Sequence, residues 1–152
     1  MQIRSTRFGD LEISEENILS FPNGLPGFPD ERQFAFFSYH EDSAFSFLQS
    51  MAEPDLTFVI VEPFSFVKDY SFELDDNVVR ELEITEDAPP QVYNIVRIPE
   101  KVEEITANLA APIVINRVKR LAAQIIMDKS NYSVRHRLFS EGFPRKKTKG
   151  GE

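Results

Sequence analysis

Gln33-Phe34-Ala35-Phe36-Phe37-Ser38-Tyr39 and, after His40-Glu41-Asp42-Ser43, Ala44-Phe45-Ser46-Phe47-Leu48-Gln49 carry phenylalanine at a spacing of two. Successive strand residues point to opposite faces, so Phe34 with Phe36, and Phe45 with Phe47, each stack on one face of a sheet. A helical stripe needs spacings of three and four, which this stretch lacks. Two strands joined by a turn at His40-Glu41-Asp42-Ser43 are the reading. Farther out, Phe58 lies in the strand-like run Leu56–Val61, Phe64 and Phe66 repeat the spacing of two, and Phe72 follows. With 14 phenylalanines in the chain, this pattern predicts β-structure around an aromatic core. It predicts no chemistry, because none of these runs offers a nucleophile, a base or a metal ligand.

Toward the N-terminus, Ile3–Phe8 and Leu11–Ile13 flank Gly9-Asp10, a hairpin signal, and Asn17–Phe21 reads as a third strand. Phe21-Pro22-Asn23-Gly24-Leu25-Pro26-Gly27-Phe28-Pro29 packs three prolines and two glycines into nine residues. Fixed φ at proline and tolerance of positive φ at glycine make this an ordered structural loop, carried by Asn23, Gly24, Pro26 and Gly27. Asn-Gly and Pro-Gly turns need positive φ, so Gly24 or Gly27 is expected to adopt it. Pro29-Asp30-Glu31-Arg32 is suited to one helical turn.

Toward the C-terminus, Phe64–Val67 and Tyr70–Leu74 read as extended pieces. Asp75–Leu82 is the best helix, with acids in the first turn, where the dipole favours them, and Val78, Val79 and Leu82 on one face. Val92–Ile98, Ile105–Leu109, Ile113–Asn116 and Leu121–Met127 read as further strands, the last two joined at Arg117-Val118-Lys119-Arg120. Short strands at this density, with proline and glycine turns, predict an all-β fold with minor α. It would be a single antiparallel barrel-like or strongly bent sandwich domain with one or two short helices. The domain is placed at residues 1–138, and residues 139–152 read as a basic, disordered C-terminal tail.

The chain has no cysteine, which excludes disulfides, thiolate metal sites and a thiol nucleophile. Residues 1–87 hold 19 acids and 5 bases, whereas residues 88–152 hold 6 acids and 12 bases. An acidic surface of this strength repels phosphates and suits a basic partner, so no direct nucleic-acid partner is expected. The start Met1-Gln2-Ile3-Arg4 lacks the features of a signal peptide, and no apolar run approaches the ~20 residues of a membrane helix. A cytoplasmic protein with no membrane partner is the default reading.

Catalytic and metal-binding constellations are missing from the pattern. His40 sits in a predicted turn and His136 in Tyr132-Ser133-Val134-Arg135-His136, without a second histidine at ligand spacing. Asp75 and Asp76 are neighbours whose side chains diverge, and helix capping explains them. No nucleophile elbow or phosphate-cradling glycine loop appears. No enzymatic activity, cofactor or metal is expected. The tail bases Arg145, Lys146, Lys147 and Lys149 lack interleaved aromatics and read as a solvated terminus rather than a nucleic-acid site.

Five strings occur in order. They are Phe21–Phe28; Leu48-Gln49-Ser50 with Pro54-Asp55-Leu56-Thr57-Phe58; Asn94-Ile95-Val96-Arg97-Ile98-Pro99; Thr106-Ala107-Asn108-Leu109-Ala110-Ala111-Pro112-Ile113-Val114-Ile115-Asn116; and Tyr132–His136. Together they resemble the bacterial flagellar assembly factor FliW family over residues 1 to about 138. The resemblance implies a cytoplasmic, barrel-like regulatory binding protein that sequesters CsrA, a small basic RNA-binding regulator, and so relieves repression of flagellin translation. It further implies that flagellin binds the same protein in a partner switch. Two alternatives are a chaperone acting mainly on flagellin, and a small-ligand barrel or hydrolase with an unseen site.

No partner-contact position is implied by the resemblance, so the contact is placed from charge and ring chemistry. Glu62, Phe64, Phe66, Asp69 and Tyr70 combine carboxylates with rings in a proline-bounded segment of the acidic half, with Glu53 and Asp55 as possible neighbours across the sheet. Aromatic anchors ringed by charge are the usual anatomy of a protein contact.

Overall fold

The computed structural model describes residues 1–38, 43–127 and 130–139. The turn expected at His40-Glu41-Asp42-Ser43 falls largely outside these residues, as does the tail from residue 140 onward. In strand β4 (Gln33–Ser38) the alternation holds: Phe34 and Phe36 turn into the core, while Ala35 and Phe37 face the other way. Its partners are β3 (Ile18–Ser20) and β5 (Phe45–Ser50), and β5 pairs in turn with β6 (Thr57–Val61), all antiparallel. Next come β7 (Gln91–Arg97), β9 (Ile113–Asn116) and β10 (Leu121–Gln124). A parallel pairing of β10 with β3 at Leu121 and Ser20 closes the ring. Seven strands thus form a closed barrel in the order β7-β6-β5-β4-β3-β10-β9 and back to β7. Closure removes the edges along which strands would pair with other chains.

The barrel is narrow enough to be filled by its own side chains. Phe34 and Phe36 meet Leu19, Leu48, Ile60, Ile113, Ile115 and Ala122 inside, and Phe21 and Leu25 join them from the loop after β3. Phe45 and Phe47 obey the same spacing rule but lie on the outer face, in a second cluster with Val59, Val61 and Val96. A third cluster lies where the hairpin of β1 (Gln2–Ser5) and β2 (Gly9–Glu12) covers Ala35 and Ile18.

The hairpin turn is at residues 6–8, not at Gly9-Asp10. Ser5 pairs with Gly9, and the Ser5 hydroxyl accepts from the N–H groups of Arg7 and Phe8, which tightens the loop. Gly24 and Gly27 both have positive φ, +66° and +87°. Pro26-Gly27 forms a two-residue turn closed by reciprocal hydrogen bonds between Leu25 and Phe28, with glycine where a type II turn needs it. Pro29–Arg32 is a turn leading into β4 rather than helix. Phe64–Val67 is not extended: Pro63–Ser65 forms a 3₁₀ turn. Residues 70–74 run without a strand partner.

Helix α1 (Asp76–Glu81) forms where expected, with Asp75 as its N-cap. Strand β8 is only Thr106–Ala107, and a short β11 (His136–Arg137) pairs with it, extending from β7 as a flap outside the barrel. The sequence did not suggest β11 or the 3₁₀ turn at Val102–Glu104.

Three fully buried amides pin the irregular connections to this frame. Gln49 accepts from the hydroxyls of Ser5 and Thr57, and its amino group reaches the carbonyls of Ser50, Glu53 and Pro54. Asn116 donates to the carbonyls of Leu82 and Glu83 at the end of α1. Asn94 donates to the Asn108 carbonyl and to the Tyr70 hydroxyl. Each satisfies backbone groups that no strand ladder reaches, which burial would otherwise make costly.

Candidate partner-binding surface

Strands β6 and β7 are antiparallel neighbours, a pair that a turn of two to five residues could join. Instead residues 62–90 intervene, and a connection of this length in a compact domain covers a surface or carries function. It does both here. Glu62 caps the Pro63–Ser65 turn, its carboxylate accepting from Phe64 N–H at 2.8 Å and Ser65 O–H at 3.1 Å. This turn rotates Phe64 outward, 45% exposed, and Phe66 inward. The Phe66 ring meets Phe139 edge-on at 5.3 Å and Phe45 at 6.3 Å. A tight turn from Val67 to Tyr70 leaves Asp69 exposed.

Tyr70 was expected as a surface anchor and is instead part of the packed layer, only 3% exposed. Its hydroxyl donates to the Leu109 carbonyl at 2.6 Å and accepts from Asn94 at 3.2 Å. Its ring stands edge-on to Tyr132 at 4.7 Å. Burial raises its pKa above 10.0, with the Asn94 hydrogen bond opposing the shift. A phenol with one polar tip and a satisfied partner set is what burial demands. The exposed ring of the segment is Phe64.

Glu53 and Asp55 are exposed but are not neighbours of Glu62. They sit in the β5–β6 turn, at the opposite end of β6, about 20 Å away at a strand rise of ~3.3 Å per residue. Asp55 accepts there from the Thr6 hydroxyl, tying the hairpin to the barrel. Asn23, Pro26 and Gly27 lie at the surface of their loop, while Gly24 is buried. A Cβ at Gly24 would stand 2.5 Å from the Pro29 carbonyl oxygen, so only glycine fits.

The charge of this surface extends past Asp69. Residues 62–87 carry nine acids and two bases, and all of the acids except Glu62 are exposed. Among the described residues only Glu83 in this set forms an ion pair, with Lys119 at 3.8 Å. Glu73, Asp76, Glu81, Glu86 and Asp87 are further exposed acids of this connection, outside the partner-contact set drawn from the sequence. The cue for them was the unbroken acidic bias of a connection far longer than its two strands require.

Bases of the β9–β10 turn are engaged locally. Arg120 lies 3.9 Å from Glu15, and the Arg117 guanidinium sits 4.6 Å over the Phe36 ring while donating to Asn17. Tyr93, beneath them in the barrel, has its pKa raised by burial, with nearby Arg117 opposing and Glu62 adding to the shift. His136 lies half-buried in β11. Among the described residues no group of three His, Cys, Asp or Glu side chains could hold a metal ion, and no helix is long and apolar enough to cross a membrane.

The comparisons with known proteins agree with one another. A family model described as FliW protein matches residues 2–138. A flagellar assembly factor FliW of Desulfitobacterium hafniense (strain DSM 10664 / DCB-2) is 52% identical over 152 residues, covering all of both chains. One of Geobacillus kaustophilus (strain HTA426) is 45% identical over 141 residues, 93% of this chain and 97% of the relative. A crystal structure of the flagellar assembly factor FliW superposes with a TM-score of 0.83 at 42% identity, covering 95% of this chain and 98% of that one. The match spans the barrel, the β6–β7 connection and the flap, and the chain belongs to the FliW family.

Proposed function

We propose that this protein acts in flagellum assembly as a cytoplasmic, non-catalytic regulator that binds CsrA and thereby relieves repression of flagellin translation. Flagellin binds it in exchange for CsrA, so that accumulating flagellin releases CsrA and limits its own synthesis. The observation that carries the CsrA contact is the β6–β7 connection, where nine acids face two bases around the exposed ring of Phe64. A small basic RNA-binding protein is steered onto such a surface, and RNA is repelled from it.

Rim carboxylates such as Asp69 act mainly on association, and the Phe64 ring acts on dissociation. Glu62 contributes by holding the Pro63–Ser65 turn that presents this ring. The small-ligand reading is disfavoured because Phe21, Phe34, Leu48, Ile60, Ile113 and Ile115 fill the barrel. The test is a pull-down with CsrA and with flagellin of the same organism, repeated with flagellin mRNA. Capture of CsrA that is displaced by flagellin and excludes RNA supports the proposal. Capture of flagellin alone would replace it with the chaperone reading, and capture of neither would overturn it.

A further inference from the structure

We propose that Asn23-Gly24 is a latent modification site, an asparagine set up for deamidation that the closed loop holds unreactive until the loop opens. Of the seven asparagines in the chain, Asn23 alone is followed by glycine. The chemistry depends on that neighbour. The Gly24 amide nitrogen attacks Cγ of Asn23, its proton leaves with the side-chain amino group as ammonia, and a cyclic succinimide forms. A side chain on the following residue obstructs this attack, and glycine has none. Solvent water then opens the ring. Opening at the side-chain carbonyl gives aspartate; opening at the main-chain carbonyl gives isoaspartate, whose backbone runs through the side chain and is longer by a carbon.

Asn23 is exposed, so water reaches it, but the attacking nitrogen is not free. Gly24 is buried, and its N–H donates to the Phe21 carbonyl at 2.8 Å, closing the turn Phe21-Pro22-Asn23-Gly24. A buried, hydrogen-bonded N–H gives up its proton reluctantly. Turning this peptide toward Cγ would also move Gly24, which has a φ of +66° and no room beside it. A Cβ there would stand 2.7 Å from the Phe28 carbonyl oxygen and 2.5 Å from that of Pro29.

The rest of the loop is tied as firmly. Phe21 N–H donates to the Arg32 carbonyl at 2.8 Å, and Leu25 and Phe28 exchange hydrogen bonds across the Pro26-Gly27 turn. Phe21 and Leu25 are buried in the barrel core. Freeing the Gly24 nitrogen therefore means withdrawing these side chains, and deamidation tracks the population of the opened loop. Isoaspartate makes the step one-way: with an extra backbone carbon, Gly24 cannot regain the Phe21 carbonyl while Phe21 and Leu25 are both seated. The site does not depend on the proposed partner contact.

The test follows deamidation in the full chain, folded in buffer and unfolded in urea at the same pH and temperature, by the mass of the peptide containing Asn23. Asp-N protease separates the products, because it cleaves before aspartate and not before isoaspartate. The folded chain should react at least about a hundred-fold more slowly than the unfolded chain. Hydrogen exchange at the Gly24 N–H should be slowed by a similar factor, since both reactions need the same opening. Gly27→Val, which strains the turn between Leu25 and Phe28, should speed deamidation of the folded chain about five-fold. Purified isoaspartate chain should unfold at lower urea than Asn23→Asp, which carries the same charge on a normal backbone.

Equal rates in folded and unfolded chains overturn the proposal, as does slow deamidation beside a Gly24 N–H that exchanges freely. So does an unchanged rate in folded Gly27→Val; if that variant fails to fold, the exchange comparison on the wild-type chain decides. Isoaspartate chain as stable as Asn23→Asp overturns the one-way step.

Discussion

The barrel interior and the β6–β7 connection are built from the same aromatic residues by different means. Inside, Phe34 and Phe36 owe their positions to strand alternation and ring closure, and no polar contact is needed to place them. On the connection, Phe66 and Tyr70 are placed by discrete ties: the Glu62 cap, the Tyr70 hydrogen bonds to Leu109 and Asn94, and the Tyr132 bonds to Ser71. A filled, closed barrel leaves nothing for a partner to grip. A segment held by a few ties over an outer face can present a ring and a row of carboxylates while its other side is buried. The difference separates the scaffold from the proposed contact surface.

The largest expected effect breaks the scaffold. Phe34→Ala should cost about 3–5 kcal/mol in denaturant unfolding, because the closed ring cannot collapse into the cavity. Phe66→Ala, at the partly covered outer layer, should cost about half as much. Equal costs would mean that the connection is as much core as the barrel.

The Asn23–Gly27 loop sharpens the same point at backbone level. Gly24→Val should cost about 2 kcal/mol or more, since positive φ is combined with a collision at the Pro29 carbonyl. Gly27→Val, which has positive φ but open space for a Cβ, should cost only about 1 kcal/mol. Melting temperatures that fall equally for the two would show that the collision is relieved by loop movement.

A smaller effect probes the ties. Tyr70→Phe keeps the ring and removes the hydroxyl, and should cost about 1–2 kcal/mol near neutral pH. Burial raises the folded pKa of Tyr70 above the 10.0 of an exposed phenol. Its contribution is therefore intact below about pH 10 and is lost as pH rises through the higher folded value. The stability gap between wild type and Tyr70→Phe should narrow in alkali; a constant gap across that range would show that the hydroxyl is not held as described.

Much of the barrel was legible because alternation is a local signal: β3 to β7, β9, β10 and α1 lie within a few residues of where periodicity and capping put them. Whether rings spaced by two face inward or outward was not legible, since Phe34/Phe36 and Phe45/Phe47 follow the same rule to opposite faces. Closure through β10 and β3 rests on one parallel contact between residues a hundred positions apart. Such pairings have no local signature.

At the candidate surface, charge and composition led to the expectation of exposed side chains at Phe64 and Asp69, and both are exposed. They misplaced Tyr70, because its burial depends on Leu109, Asn94 and Tyr132, all distant in sequence. They grouped Glu53 and Asp55 with Glu62 because sequence proximity hides that a strand separates its two ends. The acids beyond Asp69 were visible as composition but not as one surface until the long connection was seen to lie between adjacent strands.

The separation of scaffold from contact surface is tested most directly by CsrA binding kinetics measured on Phe64→Ala and Asp69→Lys alongside their unfolding curves. Both positions are exposed, so stability should stay within about 0.5 kcal/mol of wild type. Phe64→Ala should release CsrA about ten-fold faster with little change in association. Asp69→Lys should slow association, with the deficit shrinking as salt rises. Wild-type kinetics in both variants, with both folded, would contradict the assignment of the β6–β7 connection as the partner surface.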